Sequence, residues 1–590
     1  MRVLLVYPDI DTHTPIYFQI GVGSLSAVLK AEGHETRFLR VAELDREQFL
    51  SDVRGWEPDL IGFSSVFVQW KFVKQMARWI KEDYPRPIIA GGAHPTLDPE
   101  DALQCESVDW ICRGEGEYVL RDVVRCLEAG ETEKIPALEN IWCRGEGGET
   151  VRNPERELIS PLDELPAPDR EFFDYDEALS QMSGNLQVMT SRGCPYRCTY
   201  CSNEAMMRMY QGNGRFIRQR SVQHVIDEIV TTCERHPSIR YLSFSDDIIT
   251  ENKKWFFPFL EEYKEKVGLP FNVQVQMQTF DRETARRMAE AGCYQAIIAM
   301  ESGDEYIRRE VMNRNLSDEE IVSAYRYCDE MGIETCSYNI VGVPGETEQS
   351  IRKSIEMVKL VKPDNSLVFK FTPFPGTKLY DVCKERGYLR EDANYDSYFT
   401  HVGFLDLPTI SKERLTELYY EFIQTAREVN ELKRASRLGS YFDFFENFEG
   451  ARVKARSQDF VGKFLLGVNR DVRMALLVHP DSELTYKIDV RPGSKLRFAI
   501  TMSPEDWDRH ASSVDFRIEA RSGLFRKAEV FHRELNPRQH RDHRDWQECE
   551  VDLSAFAGKR IELAFQTRAR GTAMEYCSSY FGNPIVVEAA

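Results

Sequence analysis

Short apolar runs alternate with amphipathic segments over the first 130 residues. Apolar runs of strand length and apolar residues at helical spacing give the following predictions. Strands are predicted at 3–7, 35–39, 60–67, 87–91 and 109–112, and helices at 23–31, 73–81 and 119–129. Strands that alternate with helices form a parallel, doubly wound sheet. We therefore predict a Rossmann-like α/β domain over residues 1–135, with its ligand at the carboxyl ends of the strands.

Residues 136–185 are rich in proline and acidic residues, which predicts a linker with a hairpin around Trp142. From residue 187 the alternation resumes. Strands are predicted at 187–190, 240–244, 271–276, 294–299, 334–341 and 367–372, with helices at 221–234, 252–266, 281–291, 318–331 and 348–360. This pattern predicts a partial (β/α)6 TIM barrel over residues 186–395, whose catalytic groups lie at the strand C-termini.

The last part of the chain changes its pattern. A helical pattern at 405–436 falls in a predicted bridge of residues 396–445. Strands at 495–501, 514–520, 548–553 and 560–566 then follow with polar turns between them. Such runs predict a jelly-roll-like β-sandwich over residues 446–590.

Composition narrows the function class. The 590 residues include 76 Lys and Arg against 96 Asp and Glu, a net charge of −20, which argues against a nucleic-acid partner. Residues 451–590 are nearly balanced, so the acidity belongs to the first 450 residues. No apolar run reaches 18 residues, so no transmembrane segment is predicted. The 14 cysteines are too dilute for a disulfide scaffold, and we expect a cytoplasmic protein.

Three cysteines stand apart from the rest by their spacing. Cys194, Cys198 and Cys201 form Cys-x3-Cys-x2-Cys after the first predicted barrel strand. Three thiolates in one glycine-led loop can hold three corners of a 4Fe-4S cluster and leave the fourth iron open to another ligand. A zinc site would need a fourth ligand, and no nearby His or Cys has conventional spacing. The motif therefore favours an iron-sulfur cluster.

With this motif, the chain resembles the radical SAM superfamily. SFSDD at 243–247, MESG at 300–303, NIVGVPGE at 339–346 and FPGT at 374–377 extend the resemblance along the barrel. It implies that the three cysteines hold a 4Fe-4S cluster, and that S-adenosylmethionine is bound by Tyr200, Asp246, Glu301, Ser302, Arg314 and Gly342. The family's usual Gly-Gly-Glu is absent at Asp246. Alternatively, Asp246 and Asp247 cap the next helix, and Gly342 serves only a tight turn.

The first domain resembles the cobalamin-binding domain of one branch of that superfamily. The matching segments include PDLIGFSS at 58–65, GGAHPT at 91–96 and DWICRGEGE at 109–117. The resemblance implies cobalamin contacts from Gly21, Ser64, Ser65, Gly91, Gly92, His94, Gly114 and Glu115. His13 follows Asp11 as in cobalt-ligating domains, but Ile16 replaces the expected glycine, and we do not assign it as a ligand. The alternative is a scaffold without cofactor.

Together the resemblances imply a radical SAM C-methyltransferase. In such enzymes one S-adenosylmethionine methylates cobalamin, and a second yields a 5′-deoxyadenosyl radical that activates an unreactive substrate carbon. The substrate would be a small molecule, a lipid or a glycosylated compound, and a flavodoxin or ferredoxin would supply electrons. Two alternatives stay open: a radical SAM cyclase or oxidase without methyl transfer, and a non-catalytic protein that binds through the sandwich. Trp507, Trp546 and Tyr580 could stack on a sugar or fill the sandwich core.

Overall fold

A computed structural model of the chain gives the architecture. It describes residues 1–10, 18–145, 147–172, 174–182, 184–390, 405–468, 471–507, 513–522, 526–570 and 577–588. No helix within these ranges is long and apolar enough to span a membrane.

The N-terminal domain is a seven-stranded sheet with helices on both faces. Its strands are β1 (Arg2–Pro8), β2 (Glu35–Val41), β3 (Leu60–Ser64), β4 (Ile88–Gly91), β5 (Trp110–Cys112), β6 (Ile141–Arg144) and β7 (Thr150–Arg152). Its helices are α1 (Ile20–Ala31), α2 (Arg46–Trp56), α3 (Trp70–Asp83), α4 (Ala93–Leu97), α5 (Pro99–Leu103) and α6 (Glu117–Glu128). The strand order is β2-β1-β3-β4-β5-β6-β7.

The first five strands of this sheet are parallel, and β6 and β7 pair antiparallel at its edge. Side chains of β1 are buried on both faces of the sheet, as a covered parallel sheet requires. The order reverses between β1 and β3, so the loops after these strands open a crevice at the carboxyl edge. The predicted doubly wound fold is confirmed, and the hairpin around Trp142 extends its sheet.

The second domain is a partial barrel. Its strands are β8 (Asn185–Val188), β9 (Ser191–Arg192), β10 (Arg218–Gln219), β11 (Tyr241–Phe244), β12 (Phe271–Val275), β13 (Cys293–Glu301), β14 (Glu334–Val341) and β15 (Asn365–Lys370). Its helices are α7 (Tyr175–Gln181), α8 (Ser202–Met209), α9 (Val222–Arg235), α10 (Lys253–Lys266), α11 (Arg282–Glu290), α12 (Asp318–Glu330), α13 (Glu348–Val361) and α14 (Lys378–Glu385).

Six parallel strands form the barrel sheet in the order β15-β14-β13-β12-β11-β8, which confirms the predicted (β/α)6 arrangement. The short strands β9 and β10 form a separate antiparallel ribbon beside it. Side-chain N-caps begin several of the helices, among them Ser221 at α9, Asp281 at α11 and Ser317 at α12. These caps fix where each strand-to-helix loop ends.

Helix α15 (Lys412–Leu438) joins the barrel to a two-sheet sandwich. The remaining strands are β16 (Ser440–Asp443), β17 (Arg452–Lys454), β18 (Val461–Val468), β19 (Asp471–Val478), β20 (Ser482–Asp489), β21 (Ser494–Met502), β22 (Ser513–Ser522), β23 (Arg526–Leu535), β24 (Gln547–Asp552), β25 (Arg560–Arg570) and β26 (Ser579–Glu588). They form two antiparallel sheets, β18-β19-β26-β21-β24, with β16 on β26, and β17-β20-β25-β22-β23. The predicted β-sandwich is thus confirmed.

Aromatic side chains fill the interior of the sandwich. Phe444, Phe516, Phe565 and Phe581 are fully buried between the two sheets. Trp546 and Tyr580, considered above for sugar stacking, are only 7 % and 8 % exposed, in a second apolar cluster. Trp507 is half-buried, and its indole donates to the carbonyl of Met502. These contacts are those of packing residues.

Candidate functional site

The three motif cysteines lie on the loop between β9 and α8. Gly193 opens this loop at φ +88°, and a Cβ there would lie 2.5 Å from the carbonyl oxygen of Phe216. The amide of Cys201 donates to the carbonyl of Cys198 at 3.1 Å, which closes the loop just before α8 begins. Only glycine therefore fits at the start of this turn.

The thiols suit a metal cluster. Burial raises the pKa of Cys194 to about 12 and that of Cys201 to about 11, and the neighbouring cysteines add to the shift in both pKa values. Metals bind thiolates, so iron binding has to release these protons. No three His, Cys, Asp or Glu side chains in the described ranges converge on a single metal ion.

Tyr200, inside the cysteine motif, is hydrogen-bonded to Glu301 at the end of β13. Its hydroxyl donates to Oε1 of Glu301 at 3.0 Å and accepts from Nη1 of Arg314 at 3.2 Å. Arg314 also donates to the carbonyl of Ala299 at 2.7 Å and lies 3.9 Å from the Glu301 carboxylate. Burial raises the pKa of Glu301, and the charge of Arg314 only partly offsets this rise in pKa. We call these three residues the Tyr200 cluster.

The structure does not bring Ser302 and Arg314 together as a pair. Ser302 is fully buried, and its hydroxyl accepts from the amide of Asp304 at 3.2 Å and lies 3.4 Å from the hydroxyl of Ser354 on α13. Its side chain thus faces the helix layer, whereas Arg314 faces Tyr200. A contact between the Ser302 hydroxyl and S-adenosylmethionine stays a prediction.

The two adjacent aspartates after β11 have different surroundings. Asp246 is buried and accepts from the amide and hydroxyl of Thr190, at 3.0 and 2.8 Å, and from the hydroxyl of Ser191. Asp247 is exposed and accepts from Asn203 at 2.8 Å. Neither bonds to the start of α10, where Asn252 makes no side-chain cap. The structure thus presents Asp247, rather than Asp246, beside the cysteine loop.

Gly342 follows β14 in a tight turn. Its φ is +86°, and its amide donates to the carboxylate of Glu346, which also accepts from Val343 at 3.3 Å. Burial raises the pKa of Glu346 to about 8. The turn predicted as the alternative is therefore present. Its backbone lies at the carboxyl end of the barrel strands, so an adenine contact there stays a prediction.

A cavity of about 510 Å3 lies between the first sheet and the cysteine loop. The first domain contributes Gly21, Ser64, Gly91, Gly92, Gly114 and Glu115, which are six of the eight residues predicted to contact cobalamin. The barrel domain contributes residues that include Arg192, Asn203, Met206, Tyr210 and Asp247. The carboxyl edge of the first sheet and the cysteine loop therefore share one chamber.

Two of the predicted glycines allow close backbone approach in this chamber. Gly92 has φ +95°, and a Cβ there would lie 2.6 Å from the carbonyl oxygen of Ser65. Gly114 has φ +83°, and a Cβ there would lie 1.7 Å from the hydroxyl of Tyr210. That hydroxyl accepts from the amide of Glu115 at 2.9 Å, so Tyr210 fixes the loop of the first domain against the barrel domain.

Two predicted residues turn away from the chamber, and one is outside the described residues. Ser65 is buried, and its amide bonds to Gly91 at 3.0 Å. His94 is buried; its ring stacks on Trp70 at 4.7 Å, and Nε2 lies 3.0 Å from Asp101. A cobalamin contact by either side chain stays a prediction. His13 lies outside the residues that the structure describes.

Ionic contacts join the two domains at the chamber wall. Arg192, two residues before Cys194, bonds to Glu115 at 2.8 Å and to Glu117. Arg218 bonds to the same Glu115 at 2.9 Å. Burial alone would raise the pKa of Glu115, but the guanidiniums of Arg218 and Arg192 outweigh it and lower this pKa. We call these four residues the interdomain tether.

Sequence reasoning missed Arg192, Asn203, Tyr210 and Arg218 as chamber residues. Arg192 lies next to the motif, and charge beside a cysteine motif was the one signal that could have drawn attention to it. Tyr210 and Arg218 have no motif of their own. Their position depends on how two separately folded domains meet, which no local pattern encodes.

Family comparisons agree with this arrangement. Residues 188–358 match the radical SAM superfamily, and residues 10–124 match the B12 binding domain. These matches cover the cysteine loop with most of the barrel, and the strands that line the chamber from the other side. The matched segments thus supply both walls of the chamber.

Named relatives match this chain over most of their length. An uncharacterized methyltransferase of Pyrococcus horikoshii is 26% identical over 433 residues, which cover 71% of this chain and 90% of the relative. The cytidylyl-2-hydroxyethylphosphonate methyltransferase of Streptomyces wedmorensis is 25% identical, over 69% and 85%. The anaerobic magnesium-protoporphyrin IX monomethyl ester cyclase of Rubrivivax gelatinosus is 24% identical, over 70% and 80%.

A solved structure shows the same fold. The radical S-adenosylmethionine methyltransferase TsrM of Kitasatospora setae, with cobalamin and a [4Fe-4S] cluster bound, aligns with a TM-score of 0.58 at 17% identity. The alignment covers 71% of this chain and 90% of that protein. At this identity the likeness concerns the fold.

Proposed function

We propose that this chain, a radical SAM enzyme with a B12 binding domain, transfers a methyl group to a carbon atom of a small-molecule substrate. Its cofactors are a 4Fe-4S cluster, S-adenosylmethionine and cobalamin. When bound, these cofactors supply the radical that removes a substrate hydrogen and the methyl group that replaces it. The relatives named as methyltransferases support this reaction.

One observation carries the proposal: a single chamber is lined both by the strand ends of the B12 binding domain and by residues beside the cysteine loop. Gly92 and Gly114 approach it from one side, and Asn203 and Asp247 from the other. A methyl donor and a radical source have to reach the same substrate carbon. A shared chamber meets that requirement because it orients the groups and keeps bulk water away.

The chain's own residues would hold and orient the cofactors. Cys194, Cys198 and Cys201 would bind the cluster. Asp247, fixed by Asn203 and exposed to the chamber, is suited to accept hydrogen bonds from the amino group of S-adenosylmethionine. Gly91 and Gly92 line the chamber on the side where the flat corrin of cobalamin would lie. Asp246 would act indirectly, since it fixes Thr190 and Ser191 just ahead of the loop.

The direct test uses the full chain, reconstituted without oxygen with iron, sulfide and cobalamin. With a reductant and S-adenosylmethionine we expect 5′-deoxyadenosine to form, and Cys198→Ala to abolish it. Cys126→Ala is the matched control, because Cys126 is a half-buried cysteine on α6, away from the loop. Intact cleavage in Cys198→Ala would contradict the proposal.

The alternative reaction is ring formation without methyl transfer. The cyclase relative supports it, since that protein matches this chain over a similar length. S-adenosylmethionine with a trideuterated methyl group separates the two reactions once a substrate is found. A product that carries three deuterium atoms identifies methyl transfer, and an unlabelled product identifies the cyclase.

The reaction needs an electron donor, and the enzyme needs a compartment in which its thiols stay reduced. We propose a flavodoxin or ferredoxin as the electron donor and the cytoplasm as the location. The 14 cysteines are too dilute in 590 residues for a disulfide scaffold, which supports a reducing compartment. A protein pull-down from the native host with the reconstituted enzyme, followed by reduction assays with each captured donor, tests the partner.

A further inference from the structure

The concave face of the barrel sheet is open to solvent. On every strand except β15, alternate side chains point toward the helices and are buried, among them Leu186, Val273, Ile298 and Val341. Most of the intervening side chains are partly or largely accessible, whereas Tyr241 on β11 and Cys336 on β14 are buried. A closed barrel fills its interior with packed side chains. This open barrel leaves the interior face free to contact a bound molecule.

Hydrogen bonds and ring contacts establish which side chains share the concave face. Asn272 on β12 donates to Ser243 on β11 at 3.0 Å and to Tyr294 on β13 at 2.9 Å. Tyr338 on β14 and Phe369 on β15 meet edge to face at 5.8 Å. The alternate residues of β15 point to the other side, where Lys370 lies 4.7 Å above the Tyr419 ring of α15.

The two halves of this face differ in chemistry. Over β8, β11 and β12 it presents amides and a hydroxyl, from Asn185, Gln187, Ser243, Asn272 and Gln274. Such groups hydrogen-bond to neutral or charged partners without carrying charge themselves.

Toward the carboxyl ends of β13, β14 and β15 the face is apolar, whereas Gln295, Glu334 and Asn365 make its amino end polar. Over β13, β14 and β15 it presents Ile297, Tyr338, Ile340, Leu367 and Phe369. Leu367 and Phe369 are 40% and 42% exposed, although they lie on a parallel strand. Parallel sheets are normally covered on both faces. An apolar molecule on this strip would remove these side chains from water, which is favourable in proportion to the area covered.

Charge is confined to the two ends of the face. Glu334 begins β14 at one end, and Glu301 ends β13 at the other. Among the described strand residues between them, no concave position carries a charged side chain. A charged group of a ligand would lose water here without gaining an opposite charge, and that loss is costly.

The apolar strip leads to the candidate active site. Strands β13 and β14 carry the strip, and their carboxyl ends carry Glu301 and the turn at Gly342. At the opposite end the sandwich abuts the barrel: a Cβ on Gly467 of β18 would lie 2.5 Å from the Cβ of Arg240, just before β11. The concave face thus runs from the sandwich contact to the cysteine loop.

We propose that this face selects a neutral, amphipathic substrate. Its hydrocarbon or aromatic part would lie on β13–β15, and its uncharged hydroxyl or amide groups would bond to β8–β12. The inference rests on the proposed function for the reaction, but the binding preference stands on the concave face alone. Leu367 and Phe369 are then specificity-determining residues.

The test uses two probes that differ only in charge: N-phenyl-1-naphthylamine, which is neutral, and its 8-sulfonate, which is an anion. Equilibrium dialysis against the reconstituted holoenzyme keeps the cofactor chamber filled and avoids quenching by the cofactors. We expect the neutral probe to bind about tenfold or more tightly than the sulfonate. Equal binding, or no binding of the neutral probe, would overturn the proposal.

Substitutions on the apolar strip test whether the probe binds there. Leu367→Lys and Phe369→Lys are expected to weaken binding of the neutral probe about tenfold or more, because each puts a charge on the strip. Leu367→Met keeps an apolar side chain and should retain binding. Leu432→Lys is the matched control, since Leu432 is 72% exposed on α15, away from the face. Equal loss in Leu432→Lys, or no loss in the strip variants, would contradict the assignment.

Cleavage of S-adenosylmethionine by the same wild-type preparation separates two kinds of failure. Cleavage with equal binding of both probes would overturn the substrate class and leave the proposed reaction standing. Selective binding of the neutral probe without cleavage would overturn the proposed reaction and leave the substrate class standing. Thermal unfolding of each variant shows whether a loss of binding reflects a loss of fold.

Discussion

Two ionic groups adjoin the cysteine loop, and they balance charge differently: the interdomain tether includes Arg192 just before the loop, and the Tyr200 cluster includes Tyr200 within it. In the interdomain tether, two guanidiniums outweigh the effect of burial and lower the pKa of Glu115. In the Tyr200 cluster, burial outweighs the single guanidinium of Arg314 and raises the pKa of Glu301. The tether is therefore a charged contact between domains, whereas the Tyr200 cluster holds a carboxyl with a raised pKa at the candidate active site.

Breaking the tether should have the largest effect. Arg192→Met leaves Glu115 with one guanidinium and Glu117 without its bond to Arg192, so we expect a loss of about 3–5 kcal/mol in the free energy of unfolding. Arg197→Met is the control, because Arg197 is an exposed arginine of the same loop. Denaturant unfolding measures both. Equal, small losses of unfolding free energy in the two variants would show that the tether contributes little to stability.

The second-largest effect is expected from the close contact between Gly114 and Tyr210. Gly114→Ala puts a methyl group into the Tyr210 hydroxyl, and the loss should exceed that of Gly130→Ala by about 1–3 kcal/mol. Gly130 also has a positive φ, of +72°, but a Cβ there meets nothing within 4 Å. The control thus shares the backbone strain and lacks the collision. Equal losses would mean that the loop moves away from Tyr210 at little cost.

Removing one hydroxyl weakens the Tyr200 cluster. Tyr200→Phe loses the donor to Glu301 and the acceptor of Arg314, so unfolding should become easier by about 1 kcal/mol. Because Tyr200 lies between Cys198 and Cys201, two of the proposed ligands of the iron-sulfur cluster, the rate of S-adenosylmethionine cleavage should fall as well. Tyr420→Phe is the control, because the Tyr420 side chain is 51% exposed on α15. Unchanged cleavage in Tyr200→Phe would remove this residue from the positioning of the loop.

The smallest effect is a difference in pH dependence. Glu115 has a lowered pKa, so its stabilising contribution is present above its usual value near 4.5 and is lost as pH falls through the folded pKa. Glu301 has a raised pKa, so its contribution is present below about 4.5 and is lost as pH rises through the folded pKa.

Unfolding of Glu115→Gln and Glu301→Gln against pH checks these signs. Relative to wild type, Glu115→Gln should be least stable at neutral pH and recover as pH falls below about 4.5. Glu301→Gln should gain on wild type as pH rises above that value. Parallel curves for the two variants would contradict the charge balance described for the two groups.

The sequence was enough to predict the architecture, because strand and helix periodicity is local. The cysteine spacing likewise predicts a cluster loop, since the three proposed ligands Cys194, Cys198 and Cys201 lie within eight residues. Asp246 shows where such reasoning ends. Adjacent aspartates look alike in sequence, but the strand geometry turns Asp246 inward to Thr190 and leaves Asp247 facing the chamber.

The chamber wall from the second domain was beyond prediction for a different reason. Arg218 and Tyr210 meet Glu115 across about a hundred residues of chain, and only the packing of two domains brings them together. His94 was predicted from a segment that does reach the chamber through Gly91 and Gly92. Its own side chain packs on Trp70 instead, because the chain turns into α4 at that point.

The central claim is that one chamber brings the cobalamin and the cluster together. Electron paramagnetic resonance of the reduced, reconstituted chain tests it directly, because paramagnetic cobalt and a reduced cluster broaden each other's signals when they are close. We predict that the cobalt signal of wild type is broadened relative to Cys198→Ala loaded with the same corrinoid. Identical cobalt signals in the two proteins, or a chain that binds no corrinoid, would contradict the claim.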